Sequence, residues 1–282
     1  VINIIMDPIL IFGYFGFPRM EVAGAAAATV LGQIVAAIMA VVMNLKCNPD
    51  VNIRLREIRW NGHVAGEIYR VGFPSIVMQS IGSVMVFGMN KILFGFTKTA
   101  TAVFGAYFKL QSFIFMPVFG LNNGMVPIVA YNFGAGRMDR VKKTVKLAVC
   151  TAVAIMAVGL AIFQLAPELL LSFFDASEEM LEIGSVALRI ISLSFLLAGF
   201  CIIAGSVCQA IGNPFYSLIV AVARQLVVLL PVAWLLSRSG RLELVWVAFP
   251  VAELMSLTLS AIFLRRTLRS AEARVAGTPR QT

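Results

Sequence analysis

The 282 residues are 60% hydrophobic and only 13% charged, with a mean hydropathy of +0.90. Ordinary globular domains are roughly 45–50% apolar and about 25% charged, so these values exclude a soluble domain. The net charge of +9 does not indicate nucleic-acid binding, because the basic residues lie in short patches between long apolar runs, as in membrane proteins.

The first apolar run, 1–16, is shorter than the about 20 residues that a helix needs to cross a bilayer. Because it begins on valine, we expect it to be the end of a helix whose upstream partners are missing. Seven longer runs follow, and each predicts a membrane-spanning helix: roughly 21–45, 67–95, 100–132, 144–165, 183–210, 214–237 and 243–264.

Lysine and arginine are concentrated in three connecting stretches, 46–70, 134–146 and 265–282, which hold 15 of the 23 basic residues. With the predicted helices between them, these stretches alternate onto one side of the membrane, and the acidic connector 166–182 lies on the other side. The positive-inside rule makes the basic side cytoplasmic. The C-terminus is therefore predicted to be cytoplasmic.

Enzyme signatures are missing from the sequence. The only histidine is His63, so no HExxH zinc motif exists, and no GxSxG nucleophile elbow is present. The glycine-containing segment FGAGR at 133–137 follows a membrane helix rather than a strand, which predicts a tight turn and not a phosphate loop. We therefore expect no enzyme activity, and any pumping would be driven by an ion gradient.

Two acidic residues, Asp7 and Glu253, lie well inside membrane runs, where carboxylates are candidates for ion or proton handling. Asn3 and Asp7 are four residues apart and share one helix face. An amide oxygen with a carboxylate suits a small cation such as Na+, and the carboxylate alone could carry a proton. The alternatives are that Asp7 caps a helix end beside Pro8 and that Glu253 pairs with a basic side chain such as Arg224.

Further polar and soft side chains lie on the other helices. The polar ones could line a cavity or bond between helices: Gln79, Asn90, Gln111, Asn122, Asn123 and Gln209. The others could form an adaptable wall for flat apolar cations, or only core and lipid-facing surface: Met78, Met85, Met89, Phe113, Phe115, Met116 and Phe119.

Several motifs together resemble one family. NIIMDPILIFG, VAGAAAATVLGQ, GFPSIVMQSIGSVMVFGMNKIL, FKLQSFIFMPVFGLNNGMVPIVAYNFGAGRMDRVK and CQAIGNPFYS look like successive parts of the multidrug and toxic compound extrusion (MATE) family, especially its MepA-like branch. The resemblance implies an all-α, polytopic membrane helix bundle with the two-lobe MATE fold, here with an incomplete N-lobe. Its implied domains are the end of the N-lobe at 1–45, a cytoplasmic connector at 46–66, a six-helix C-lobe at 67–266 and a cytoplasmic tail at 267–282.

The resemblance also implies a mechanism and a site. The family exports organic cations or drugs in exchange for Na+ or H+ by alternating access, and its N-lobe cation or proton site matches Asn3, Asp7 and Thr29. Some members carry an acid on the seventh helix, but Gly82 occupies that position here, so a C-lobe coupling site of that kind is not supported. No cofactor beyond the coupling ion is expected. We further expect the full-length protein to be a monomer in the bacterial inner membrane, surrounded by lipid and without nucleic-acid partners.

A faint internal repeat suggests a role for Glu253. Overlaying the two halves by Pro8 and Pro231 places Leu226 and Leu230 opposite the two N-lobe ion-site residues, so that site is not duplicated. The same overlay turns Glu253 toward the interior of the C-lobe. We hypothesise that Glu253 supplies a negative charge that helps to bind a cationic substrate.

Two other functions are weighed. A flippase for lipid-linked oligosaccharide or polysaccharide, from the same superfamily, would need a strongly cationic cavity. The candidate cations here, Lys91, Lys109, Arg189 and Arg224, are too scattered to favour it. A non-transporting membrane scaffold would gain nothing from buried acids and amides, which are costly in a membrane. Without the first four helices of the family, the 282-residue chain is not expected to transport by itself.

Overall fold

The computed structural model describes residues 2–48 and 61–277, and all regular secondary structure in these ranges is helical. The helices are α1 Ile2–Phe12, α2 Glu21–Cys47, α3 Gly62–Phe94, α4 Lys98–Gly134, α5 Met138–Leu165, α6 Pro167–Ser172, α7 Glu178–Ser192, α8 Phe195–Ala210, α9 Pro214–Val222, α10 Leu230–Ser237, α11 Leu242–Trp246 and α12 Ala248–Gly277. A 3-10 turn at Tyr14–Gly16 follows α1, and a π-helical segment at Ala223–Leu229 joins α9 to α10. The chain divides between Gly62 and His63 into two compact units, called the N-terminal unit and the C-terminal unit.

The N-terminal unit is a helical hairpin of α1 and α2. Helix α1 ends at Phe12 and is followed by Gly13, whose φ of 78° lies in the left-handed region that favours glycine. The amide of Met20 then donates to the carbonyl of Leu10 at 3.0 Å and closes the turn. The two helices approach closely at Gly24, where a Cβ atom would overlap the Leu10 backbone. This close contact holds polar residues of α1 beside those of α2.

The predicted membrane-spanning runs are confirmed as helices. Six helical stretches in the described ranges are long and apolar enough to cross a bilayer, and α7 with α8, bent by 49°, gives a seventh. Helix α1 is the shorter apolar helix that the opening run predicts. The all-α membrane bundle predicted from composition and resemblance is therefore correct.

Aromatic side chains form the centre of the C-terminal unit. The rings of Phe163 and Phe195 meet edge to face with centroids 5.0 Å apart, and Phe115 contacts Phe195 at 5.4 Å. Trp246 is 1% exposed and packs beside Phe104 with centroids 6.3 Å apart. Such contacts add to the large apolar area that each ring buries. They fix the positions of α4, α5, α8 and α11 relative to one another.

The connecting segments partly differ from the sequence predictions. The segment 133–137 is the predicted tight turn, since Gly136 has a φ of 69° and its amide bonds back to Phe133. The last helix was predicted to end near 264, but α12 continues to Gly277. Its arginines end the apolar run without ending the helix, because arginine and alanine are good helix formers. In the predicted connector 46–66, the ends belong to α2 and α3, and residues 49–60 lie outside the described residues.

Candidate functional site

Asn3 and Thr29 are in contact in the N-terminal unit. The Asn3 amide nitrogen donates to the Thr29 hydroxyl oxygen at 3.3 Å, and that hydroxyl donates to the Ala25 carbonyl at 2.9 Å. Gly32 makes room for the Asn3 side chain, because a Cβ atom there would overlap the amide oxygen of Asn3. The sequence thus brings together an α1 amide and an α2 hydroxyl that lie 26 positions apart.

Asp7 lies one turn after Asn3 on the same helix. Its Oδ1 atom is buried and has no hydrogen-bond partner in the described part of the chain. A buried carboxylate oxygen without a partner is costly in an apolar environment, and a cation or a proton would satisfy it. The three predicted ion-site residues therefore lie in the same hairpin, with hard oxygen atoms that can bind a small cation.

The C-terminal unit contains a cavity of about 800 Å³. It is formed by α3, α4, the α7–α8 bend, the π-helical segment and α12. Its lining includes aromatic, methionine and amide side chains: Met78, Gln79, Gly82, Met85, Asn90, Tyr107, Phe108, Gln111, Phe115, Phe119, Arg224, Gln225, Phe249 and Glu253. On α12, Ala252 and Glu253 line the cavity three and four residues after Phe249. This spacing places the three residues on one face of the helix.

Eight of the residues predicted as possible cavity lining do line this space, namely Met78, Gln79, Met85, Asn90, Gln111, Phe115, Phe119 and Glu253. A ninth predicted residue, Gln209, lines an adjoining cavity of about 350 Å³. The two cavities share several lining residues, among them Arg224 and Glu253.

Phe113 and Met116 are corrections to the sequence prediction. They are 73% and 67% exposed and lie outside the lining of both cavities. The predicted Gln111, Phe115 and Phe119 do face the cavity, because they recur every four residues along α4. Phe113 lies two residues from Gln111 and Phe115, which places it on the opposite face of a helix with 3.6 residues per turn.

Three other predicted residues lie away from the cavities. Asn122 has a buried amide oxygen without a hydrogen-bond partner, but neither it nor the exposed Asn123 is a lining residue. Met89 is fully buried and belongs to the core. None of the three side chains is therefore part of the cavity wall.

Arg224 and Glu253 form an ion pair at the cavity wall. The Arg224 Nη1 atom lies 3.2 Å from Glu253 Oε2, with side-chain exposures of 37% and 7%. The alternative that Glu253 pairs with Arg224 is therefore confirmed. Glu253 also faces the interior of the C-terminal unit, as the repeat predicts. The Glu253 carboxylate is, however, already paired with the Arg224 guanidinium. The hypothesis from the sequence had assumed that this carboxylate was free to bind a cationic substrate.

The cavity has only one of the four basic side chains proposed for it. Arg224 lines it, whereas Lys91, Lys109 and Arg189 are exposed and do not. The Lys109 ammonium instead lies 5.8 Å from the centroid of the Phe174 ring. The lining that the structure describes therefore has one positive and one negative charge, and its net charge is close to zero.

Sequence reasoning missed Tyr107, Phe249 and Gln225 as lining residues. Gln225 had a visible signal, because it is an amide beside an arginine inside an apolar run. It follows Arg224 in the π-helical segment, and such segments are frequent at functional sites. Tyr107 and Phe249 had no distinguishing signal, since aromatic residues occur throughout these helices.

Comparisons with known proteins identify the family. The MatE family model matches residues 74–235. The multidrug export protein MepA of Staphylococcus saprophyticus is 30% identical over 247 residues, which cover 87% of this chain and 53% of that protein.

Two solved structures show the same fold. A MATE protein in complex with MaL6 is 23% identical with a TM-score of 0.85, and a MOP superfamily transporter from Pyrococcus furiosus is 22% identical with a TM-score of 0.86. Each alignment covers 96% of this chain and 61% of the other. The second protein is described as having a binding pocket of reversed polarity.

The chain spans about half the length of the curated relatives it matches. Its matched region includes α3 to α9 and the π-helical segment, and so contains most of the cavity lining. With its membrane-spanning helices and bacterial relatives, it is a multi-pass bacterial membrane protein and not an enzyme. The chain belongs to the MatE family, the multidrug and toxic compound extrusion family that its sequence motifs resemble.

Proposed function

We propose that this chain provides the drug cavity and an ion-coupling site of a multidrug efflux antiporter, which exports organic cations or drugs in exchange for Na+ or H+. The cavity of the C-terminal unit is the observation that carries the proposal. Its volume of about 800 Å³ falls within the roughly 300–1,000 Å³ of small-molecule sites. Family membership and relatives named for multidrug export support this function.

The lining of the cavity suits flat, amphiphilic substrates. Rings such as Phe119 and Phe249 offer apolar area and attract cations to their faces. Met78 and Met85 can adapt to different shapes because methionine is unbranched and polarizable. Amides such as Gln79 offer both donors and acceptors, so they can form hydrogen bonds with substrates of different shapes.

The hairpin of the N-terminal unit is the proposed coupling site. Asp7 has a buried carboxylate oxygen without a hydrogen-bond partner among the described residues. On the same hairpin, the Asn3 amide donates a hydrogen bond to the Thr29 hydroxyl. Na+ or H+ binding at Asp7 would favour one conformation, and substrate binding would favour the other. A ligand can shift that equilibrium only by its different affinity for the two states, and a carboxylate that changes charge provides such a difference.

We also propose that the C-terminus is cytoplasmic. The start of α5 and the end of α12 lie on one side, because Lys142 and Glu272 form an ion pair there, and both segments are rich in basic residues. Fusion of green fluorescent protein to the C-terminus should give fluorescent cells. A C-terminal alkaline phosphatase fusion should be inactive, and an active one would contradict this orientation.

The test of the proposed function is export of a cationic dye from cells that express the complete gene containing this sequence. Phe119→Ala removes a ring from the cavity wall and should lower export. Phe113→Ala removes the same group from the same helix, but from an exposed position outside the cavity, and should leave export unchanged at equal expression. No export by the wild type, or equal effects of both variants, would contradict the proposal.

The other functions receive no support from the site. A flippase for pyrophosphate-linked sugars requires several unpaired cations, but the described cavity lining has one arginine that is paired with Glu253. A scaffold would not require a cavity of this size with buried polar atoms. Multidrug export therefore remains the function that the geometry favours.

A further inference from the structure

The ion pair of Arg224 and Glu253 has unused hydrogen-bonding capacity. Its one hydrogen bond runs from Arg224 Nη1 to Glu253 Oε2 at 3.2 Å, although a guanidinium carries five N–H donors. The second carboxylate oxygen, Oε1, is buried and has no partner in the described part of the chain. Each charged group can therefore accept a further ligand without first moving away from the other.

Both charged groups face the cavities. Arg224 and Glu253 are lining residues of the main cavity and of the adjoining one, so the pair lies where the two spaces meet. Next to them, the Gln225 amide oxygen and the Ser256 hydroxyl are buried without hydrogen-bond partners among the described residues. Such atoms are costly when dry, and three of them at one junction, counting Glu253 Oε1, indicate a built polar site rather than a packing accident.

The charges at this junction restrict which ligands bind well. A monocation that binds the unpartnered Oε1 atom of Glu253 adds a second positive charge close to the Arg224 guanidinium, and the two like charges repel each other. A monoanion that binds the free donors of Arg224 adds a second negative charge close to the buried Glu253 carboxylate, which is costly for the same reason. A ligand with one charge of each sign can satisfy both groups at once.

We propose that this junction is a recognition site for aromatic zwitterions, in which the ligand carboxylate binds Arg224 and the ligand cation binds Glu253. This inference rests on the proposed drug cavity and names its preferred substrate class. The planar guanidinium of arginine matches a carboxylate with two parallel hydrogen bonds. The rings of Phe115, Phe119 and Phe249 line the same cavity and provide the apolar surface for the aromatic part of the ligand.

The test is a binding measurement on the purified 282-residue chain in detergent, by fluorescence polarisation. Rhodamine B is a zwitterion at neutral pH, and its ethyl ester is a cation with the same ring system, so the two dyes differ only in the carboxylate. The wild type should bind rhodamine B at least about tenfold more tightly than the ester, a difference of about 1.4 kcal/mol. Only the carboxylate of rhodamine B can accept charge-assisted hydrogen bonds from Arg224.

Arg224→Gln should remove this preference by weakening rhodamine B binding, with no loss of ester binding. The double variant Arg224→Gln/Glu253→Gln leaves no unpaired charge and should bind both dyes with similar affinity, which keeps the test valid if a single variant folds poorly. Arg189→Gln makes the same substitution at an exposed position outside the cavity and should behave as the wild type.

The possible failures are distinguishable. If the wild type binds both dyes equally, or if Arg224→Gln weakens both by the same factor, the zwitterion site is contradicted and the drug cavity stands. If the folded wild type binds neither dye, the drug cavity and the zwitterion site are both contradicted.

Discussion

Loss of either partner of the Arg224–Glu253 pair should destabilise the C-terminal unit, and the two losses should be unequal. Arg224→Gln leaves a carboxylate that is only 7% exposed without a counterion. Glu253→Gln leaves a guanidinium that is 37% exposed and can keep part of its hydration at the cavity surface. The more buried charge suffers more from losing its partner.

The expected magnitudes follow from this burial. Removing one partner of a buried ion pair costs about 3–5 kcal/mol, and we expect Arg224→Gln to fall in this range. Glu253→Gln should cost less, about 1–2 kcal/mol, because the charge left behind is partly solvated. The double variant should be more stable than Arg224→Gln alone, since it contains no unpaired charge and the effects of contacting residues are not additive.

Unfolding by dodecyl sulfate in mixed micelles, followed by tryptophan fluorescence, measures these differences. Trp246 is buried beside Phe104 and reports on the core of the C-terminal unit. Arg189→Gln is the matched control and should change the free energy of unfolding by less than about 0.5 kcal/mol. Equal losses in the two single variants, or a double variant less stable than Arg224→Gln, would refute the reasoning from burial.

Three further predictions concern the α1–α2 hairpin and an exposed ion pair of the C-terminal unit. Gly24→Ala should lower stability and dye export of the complete protein, because its Cβ would overlap the backbone of Leu10. Thr29→Ala removes the hydroxyl that accepts a hydrogen bond from Asn3 and should lower dye export. Thr29→Ser keeps a hydroxyl at this position and should retain export. A larger effect of Ser than of Ala would contradict this role. Glu272→Gln breaks an ion pair whose side chains are 53% and 40% exposed, so detergent unfolding should shift by less than about 1 kcal/mol.

The sequence predicts where the helices lie better than where they bend. Apolar runs of about 20 residues follow from the bilayer thickness, and all of these runs are helical here, although 183–210 is divided into two helices by a bend. The break between α7 and α8 and the π-helical segment at Ala223–Leu229 depend on tertiary packing, which a hydropathy pattern does not contain. The sequence prediction ended α12 too early for a related reason. Hydropathy indicates which part of a helix lies in the membrane, but not where the helix itself ends.

The candidate site shows the same limits. Glu253 and Arg224 could be paired from the sequence because each charge is costly alone in an apolar run. The cavity face of α4 could not be chosen, because Phe113 and Phe119 are equally apolar, and lipid and protein core select the same residue types. Asn3 and Thr29 are far apart in sequence, and only the family resemblance suggested their contact, which the structure places at 3.3 Å.

The most direct test of the account is ion-driven transport by the complete protein in proteoliposomes, measured with a cationic dye under imposed Na+ or H+ gradients. We predict that one of the two gradients drives transport. Asp7→Asn should reduce it to the level of protein-free liposomes. Glu21→Gln, which changes an exposed acid of the same hairpin, should leave transport intact. Gradient-driven transport that survives in Asp7→Asn would contradict the assignment of the coupling site.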